Sequence, residues 1–355
     1  MPFIKDIKNY KSIATIGLEK NVGKTETMNY ILKRLKDEGV TTAVTSIGID
    51  GETVDIVTDT SKPEITIYEG MIFVTSEKHY IKKRFQAEIL DVSEKSTALG
   101  RLVTARALGE GKVLLSGPSN GTWVKDIIEE VLEKGVDSVL VDGALSRLSV
   151  GSPIITEGIV LSTGAAVSIN SKEIIKKTKH VINLLKLDSL ERERKEKIID
   201  LEDGIYKILW EKDIINKLPI KSILNFSQLE ENIFQEDCSL YITGVLTERF
   251  IESLTKQSFL ENIEIVVKDF TKVFVSGEIL SRFIRKGGKL KVLLKTKLVA
   301  ITVNPVAPTG YILDSKELIK AIEEFTEVPV VNLREEGYEL WKNRIWLYNW
   351  HLRYS

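Results

Sequence analysis

Cysteine is nearly absent from this sequence. The 355-residue chain has one, Cys238, so no internal disulfide can form. Cys238 also follows Glu236-Asp237 with no basic neighbour to activate a thiolate. Histidine is almost as scarce. His79, His180 and His351 are scattered and supply no Cys/His metal cluster. A dominant charge is missing too: 50 Lys+Arg stand against 51 Asp+Glu, a formal net charge of -1. That balance removes the global field a general nucleic-acid binder uses. No apolar run approaches the roughly 18–20 residues needed to span a bilayer. The segment Met1-Pro2-Phe3-Ile4-Lys5-Asp6 lacks a signal-peptide core. No fixed-period repeat or low-complexity tract is visible. These absences predict a cytoplasmic protein without nucleic-acid or membrane partners. What is present is ordinary for a globular protein, 43% apolar and 28% charged residues, in a length that suits two domains.

The first half alternates strand and helix patterns. Ile13–Ile16 is a short apolar run ending at Gly17. Met28, Ile31, Leu32 and Leu35 then fall on one helical face between Thr25 and Glu38, and Gly39 stands where a helix ends. Thr41 to Ile47 is β-branched and reads as the next strand, completing a βαβ unit with parallel strands. Ile65 to Val74 reads as a hairpin or paired strands, continued by antiparallel edge structure at Glu88–Val92 and Leu102–Ala105. The α/β rhythm resumes with strands at Lys112–Leu115, Ser138–Asp142 and Gly158–Leu161. The densely charged run Asp188 to Lys197 predicts a solvated connector. The expected division is therefore residues 1–187, a charged connector at 188–204, and a C-terminal α/β domain at 205–355.

Chemistry concentrates in Gly17-Leu18-Glu19-Lys20-Asn21-Val22-Gly23-Lys24-Thr25, between a strand and a helix. That is the context of a phosphate-binding loop. Gly23 lets the backbone approach phosphate oxygens, and the helix start directs free N–H groups at the anion. Lys24 would neutralise the β/γ-phosphates, and the Thr25 hydroxyl would ligate Mg²⁺. Glu26 follows on the same first turn and completes the candidate nucleotide-binding set. Five residues separate the two glycines where the standard loop has four. This spacing resembles the Gly-x5-Gly-Lys-Thr loop of dethiobiotin synthetase and its relatives, within the P-loop proteins with deviant Walker A loops. Glu19 takes the place of that class's signature lysine, with Lys20 one step later. The fold expected is a P-loop NTPase-like parallel sheet flanked by helices, with an inserted β-hairpin region and a second α/β domain.

A Mg-nucleotide site needs carboxylates at strand ends. Asp142 closes the apolar strand Val139-Leu140-Val141, and Asp50 follows the second strand. Lys24, Asp50 and Asp142 are the candidate catalytic residues. Thr25, Asp50 and Asp142 are the candidate metal ligands. Ser116 to Gly121, Thr163 to Ala166 and Ser146-Arg147 belong to loops on the same sheet edge. No base-reading Asn-Lys-x-Asp is placed for GTP, so ATP is the expected nucleotide. Asn304-Pro305 and Thr309-Gly310 form a loop after a strand and read as an ordinary turn, with a ligand loop as the alternative. Trp341, Trp346, Trp350 and Tyr354 read as a helix packed on its own domain, with a partner surface as the alternative.

The loop at 17–25, Asp142-Gly143-Ala144-Leu145-Ser146-Arg147 and Leu161-Ser162-Thr163-Gly164-Ala165 together resemble the smaller component of the lysine 5,6-aminomutase reactivating factors. The resemblance covers about residues 10–170. It implies ATP binding or hydrolysis coupled to release of damaged cobalamin from an adenosylcobalamin-dependent aminomutase. It also implies two partners, the mutase and a larger subunit resembling a MutS-like mismatch-repair ATPase. Two other readings use the same loop: an ATP-dependent ligase of the dethiobiotin synthetase or cobyrinate amidation kind, acting on a small carboxylate, and a scaffold that binds nucleotide without turnover.

Overall fold

The computed structural model describes residues 2–48, 54–55, 60–61, 64–118, 120–144, 151–220, 223, 237–258 and 260–336. The chain forms two compact units. One comprises Met1–Gly151, Ile155–Thr178 and Leu298–Ser355; the other comprises Ser152–Ile154 and Lys179–Lys297.

The first unit is built on a nine-stranded, mixed and mostly parallel sheet flanked by helices. Its strands, numbered in chain order, are β1 (Ser12–Gly17), β2 (Thr42–Ser46), β3 (Ile72–Ser76), β4 (Ala87–Thr97), β5 (Gly100–Ala107), β6 (Ser138–Ala144), β7 (Gly158–Gly164), β8 (Lys297–Asn304) and β9 (Val330–Val331). They lie in the order β9-β8-β7-β1-β6-β2-β3-β5-β4. β1 runs parallel to both β6 and β7, β6 parallel to β2, and β2 parallel to β3. Every residue of β1 and of β7 is buried, as continuous apolar strands covered on both faces must be. The helix Lys24–Asp37 lays Met28, Ile31, Leu32 and Leu35 into this core. The helix Pro2–Ile7 contributes Phe3, Ile4 and Ile7 to the same cluster, and Phe3 stacks on Tyr30 at 6.0 Å.

β4 and β5 form the expected antiparallel edge, interrupted by register shifts between Ile89 and Asp91 and between Val92 and Ser96. Such irregularities twist an exposed edge away from further pairing. The segment Ile65 to Val74 is not a hairpin. Its first arm, Ile65–Ile67, pairs antiparallel with Gly111–Val113, while its second arm is β3 of the large sheet. A turn closed by Met71 N–H on the Tyr68 carbonyl sends the two arms into different ladders.

The second unit carries a six-stranded sheet in the order Asp188–Ser189, Lys289–Val292, Ile263–Val267, Cys238–Ile242, Ile205–Leu209, Ile214–Lys217. The first four run parallel, and the last two add an antiparallel edge. This corrects the expected division at 188–204. The charged run is no connector. Asp188–Ser189 forms the sheet's edge strand, and Arg192–Ile198 is a helix that buries Ile198. Its charges pair along the helix surface, Arg192 with Glu196 and Arg194 with Glu191. The expected C-terminal domain at 205–355 is corrected as well, because β8 and β9 return to the first unit's sheet. The C-terminal aromatics Trp341, Trp346, Trp350 and Tyr354 lie outside the described residues. Among the described residues, no helix is long and apolar enough to cross a membrane.

Candidate functional site

β1 ends at Gly17, between Ala144 of β6 and Ser162 of β7. The chain then turns over the sheet edge. Leu18 N–H donates to the Ser162 carbonyl at 2.9 Å, and Leu18 and Val22 are buried, pinning the turn at both ends. Glu19, Lys20 and Asn21 stand exposed between them. Asn21 has φ 61° and Gly23 has φ 88°, both left-handed. The φ of Gly23 favours glycine, and a Cβ there would also crowd the Asn304 Cβ at 3.1 Å. It is also the N-cap of the helix Lys24–Asp37 and has no side chain with which to cap it. Gly23 thus supplies no side-chain cap to the helix start, which carries Lys24 and Thr25 on its first turn, an arrangement suited to holding an anion.

Lys24 Nζ lies 2.7 Å from Asp142 Oδ1, and both side chains are about one-fifth exposed, at 23% and 21%. Asp142 sits near the end of β6, opposite Thr15 of β1. Its backbone carbonyl accepts from Ile47 N–H at 3.1 Å and from Ser46 Oγ at 3.3 Å, tying the end of β6 to the end of β2. The parallel sheet thus brings Gly17, Lys24, Thr25 and Asp142 to one edge, as the sequence predicts. Among the described residues no group of three or more His, Cys, Asp or Glu could hold a metal ion. A cation at Thr25 and Asp142 would need further ligands from a bound anion.

The loops at 116–118 and 163–165 lie on the predicted sheet edge, Gly48 N–H donating to the Pro118 carbonyl at 2.7 Å, but other predicted residues are not described. Asp50, Ser119 and residues 145–150, Arg147 included, lie outside the described residues. Ser116 is 1% exposed and sits in a hydroxyl network. It donates to Ser76 Oγ at 2.7 Å and accepts from Ser76 N–H at 3.1 Å, with His79 Nδ1 at 3.0 Å. Thr163 is buried and meets the Thr178 hydroxyl at 3.0 Å. These two hydroxyls tie neighbouring elements together.

Other residues at the site were not legible in the sequence. Behind the turn, Thr27 Oγ1 lies 2.8 Å from Thr302 Oγ1, and the Thr302 hydroxyl donates to Ser162 Oγ at 2.8 Å. Asn304, predicted to be in an ordinary turn, abuts the exposed loop: its Nδ2 donates to the Asn21 carbonyl at 3.4 Å. Lys177 pairs with the exposed Glu19 at 3.3 Å. Arg334 pairs with Glu26 at 3.7 Å. A narrow cleft opens beside Gly23 and Glu26, walled by Thr302, Asn304, Asn332 and Arg334. The prior sign is the loop at Asn304-Pro305 after a strand, for which a ligand loop is the alternative reading. Compared with known proteins, the chain matches no family profile, and no curated protein is significantly similar to it.

Proposed function

We propose that this chain binds a nucleoside triphosphate, ATP, with Mg²⁺ at the loop 17–25. In this proposal it works in the cytoplasm as the nucleotide-binding component of a reactivating factor for an adenosylcobalamin-dependent aminomutase such as lysine 5,6-aminomutase. The observation that carries nucleotide binding is the Lys24–Asp142 pair at an uncapped helix start, on the edge of a parallel sheet. This arrangement supports a P-loop NTPase-like assignment. The client and the larger MutS-like subunit rest on the resemblance of the motifs at 17–25, 142–147 and 161–165.

In this reading the phosphates take up the backbone N–H groups from Val22 to Thr25, where left-handed residues and a helix start converge. Lys24 exchanges Asp142 for the β/γ-phosphate oxygens. The Asp142 carboxylate and the Thr25 hydroxyl would hold Mg²⁺ or its waters, and the ion would supply charge neutralisation at the phosphates. The ligase alternative calls on the loop from Ser116 for a second substrate, and the burial of Ser116 works against it.

Calorimetric titration with Mg·ATP tests the nucleotide site. Lys24→Ala is expected to weaken binding about 100-fold, the loss of a charged contact worth roughly 3 kcal/mol, with the far-ultraviolet spectrum unchanged. Equal affinity in that variant would overturn the proposal. Recovery of inactivated aminomutase in the presence of this chain, ATP and fresh adenosylcobalamin tests the client. Turnover of a small carboxylate by the chain alone would instead favour the ligase.

A further inference from the structure

The buried hydroxyl network around Ser116 reaches the Lys24–Asp142 pair through the end of β2. Ser116 is its hub. The hydroxyl donates to Ser76 Oγ, accepts from Ser76 N–H and meets His79 Nδ1, and the backbone N–H donates to Thr75 Oγ1 at 3.2 Å. Thr75 Oγ1 in turn donates to the Leu114 carbonyl at 2.8 Å. Thr75, Ser76, His79 and Ser116 are all at most 2% exposed, so a shift of the hub leaves buried polar groups unpaired. The next two residues carry this fixed point to β2. A Cβ on Gly117 would lie 1.7 Å from the Ser46 carbonyl oxygen, so the two backbones touch. Gly117 N–H donates to the Gly48 carbonyl at 3.3 Å, and the Pro118 carbonyl accepts Gly48 N–H at 2.7 Å. The strand end held in this way donates two hydrogen bonds to the Asp142 carbonyl, from Ser46 Oγ and from Ile47 N–H.

We propose that residues 116–118 are a strap that positions Asp142 for the nucleotide. Ser116 anchors the strap on β3, Gly117 and Pro118 grip the end of β2, and Ser46 passes that placement to the Asp142 backbone. Ser116 and Ser46 are then positioning residues that act through Asp142. The proposal rests on the nucleotide-site reading above, and it gives the 116–118 loop a task other than holding a second substrate. The Asp142 carboxylate and carbonyl share one Cα, so fixing the carbonyl from β2 fixes the direction in which the side chain leaves β6. The Lys24–Asp142 contact at 2.7 Å has the length of a charge-assisted hydrogen bond. Groups of this kind need supporting residues that hold them within about 0.5 Å of their working geometry. The strap supplies that support from the β2 side of β6.

The test is a double-mutant cycle with Asp142 on the full chain, read by titration calorimetry with Mg·ATP. Ser116→Ala removes the hub and is expected to weaken binding about fivefold. Ser46→Ala removes one hydrogen bond to the Asp142 carbonyl and is expected to weaken it about threefold. In an Asp142→Asn background each substitution is expected to change affinity by less than about twofold, because the charge being positioned is gone. Equal losses in both backgrounds mean a merely structural role and overturn the strap. So does unchanged affinity in Ser46→Ala, the milder variant, which decides the matter where Ser116→Ala fails to fold. Amide exchange needs no variant: saturating Mg·ATP is expected to slow exchange at 116–118 more than in the second unit, and no such difference overturns the strap where Asp142→Asn binds too weakly to titrate. In each of these cases the nucleotide site stands. A wild-type protein that does not bind Mg·ATP overturns the nucleotide-site reading and the strap with it.

Discussion

Gly164 shows how much a single position can carry. Its φ is 148°, and a Cβ there would lie 1.9 Å from the Asn304 carbonyl oxygen. The same oxygen accepts Ala165 N–H at 2.9 Å, so the end of β7 and the end of β8 touch backbone to backbone. Gly164→Ala cannot relieve that overlap by rotating a side chain. It is expected to cost about 2–4 kcal/mol of unfolding free energy, read by urea denaturation, and to weaken ATP binding through displacement of Asn304 from the loop. Lys24, Thr25 and Asp142 were legible in the sequence because strand, loop and helix signals surround each of them within a few residues. Their neighbours at the site were not. Glu19 and Lys177 stand 158 residues apart, and Asn304 meets Asn21 across 283. No local pattern in either segment names the other.

At the level of elements, the strands that form the sheet centre were legible because burial on both faces writes them as unbroken apolar runs. The Ile65–Val74 segment was not, since a hairpin and two arms in separate ladders share the same local pattern. The charged run 188–197 was misread because paired surface charges hide the buried Leu190 and Ile198. One helix also carries a titration. His180, on the helix Ser171–Leu185, lies where a Cβ on Gly277 would come 3.0 Å from its Nδ1. Burial lowers its pKa from the ordinary 6.5, and its hydrogen bond to Val275 only partly opposes this. The unfolded chain therefore takes up this proton at higher pH than the folded one. Stability from the neutral ring is full above pH 6.5 and declines as pH falls below it toward the folded value. Thermal midpoints are expected to drop between pH 7.5 and 5.5, and His180→Asn should flatten that part of the profile. An identical slope in the variant would assign the dependence to other groups.

For the whole molecule, the decisive fact is that the first unit is discontinuous. A fragment of residues 1–187 matches the domain expected from sequence but lacks β8 and β9 and leaves one side of β7 unpaired. It is expected to unfold without a cooperative transition or to aggregate, whereas the full chain melts cooperatively; circular dichroism and light scattering distinguish the two. Sequence alone could not reveal this, because a strand's composition records its burial and not the sheet it joins. The return of β8 also sets a schedule for synthesis. A ribosome releases β7, then the inserted unit, and only afterwards the strand that covers β7. The inserted unit, nearly contiguous from Lys179 to Lys297, can close on itself while the first sheet waits with an open edge. During that wait the nascent chain is most exposed to wrong pairing with its neighbours, and there chaperone engagement has the most to protect.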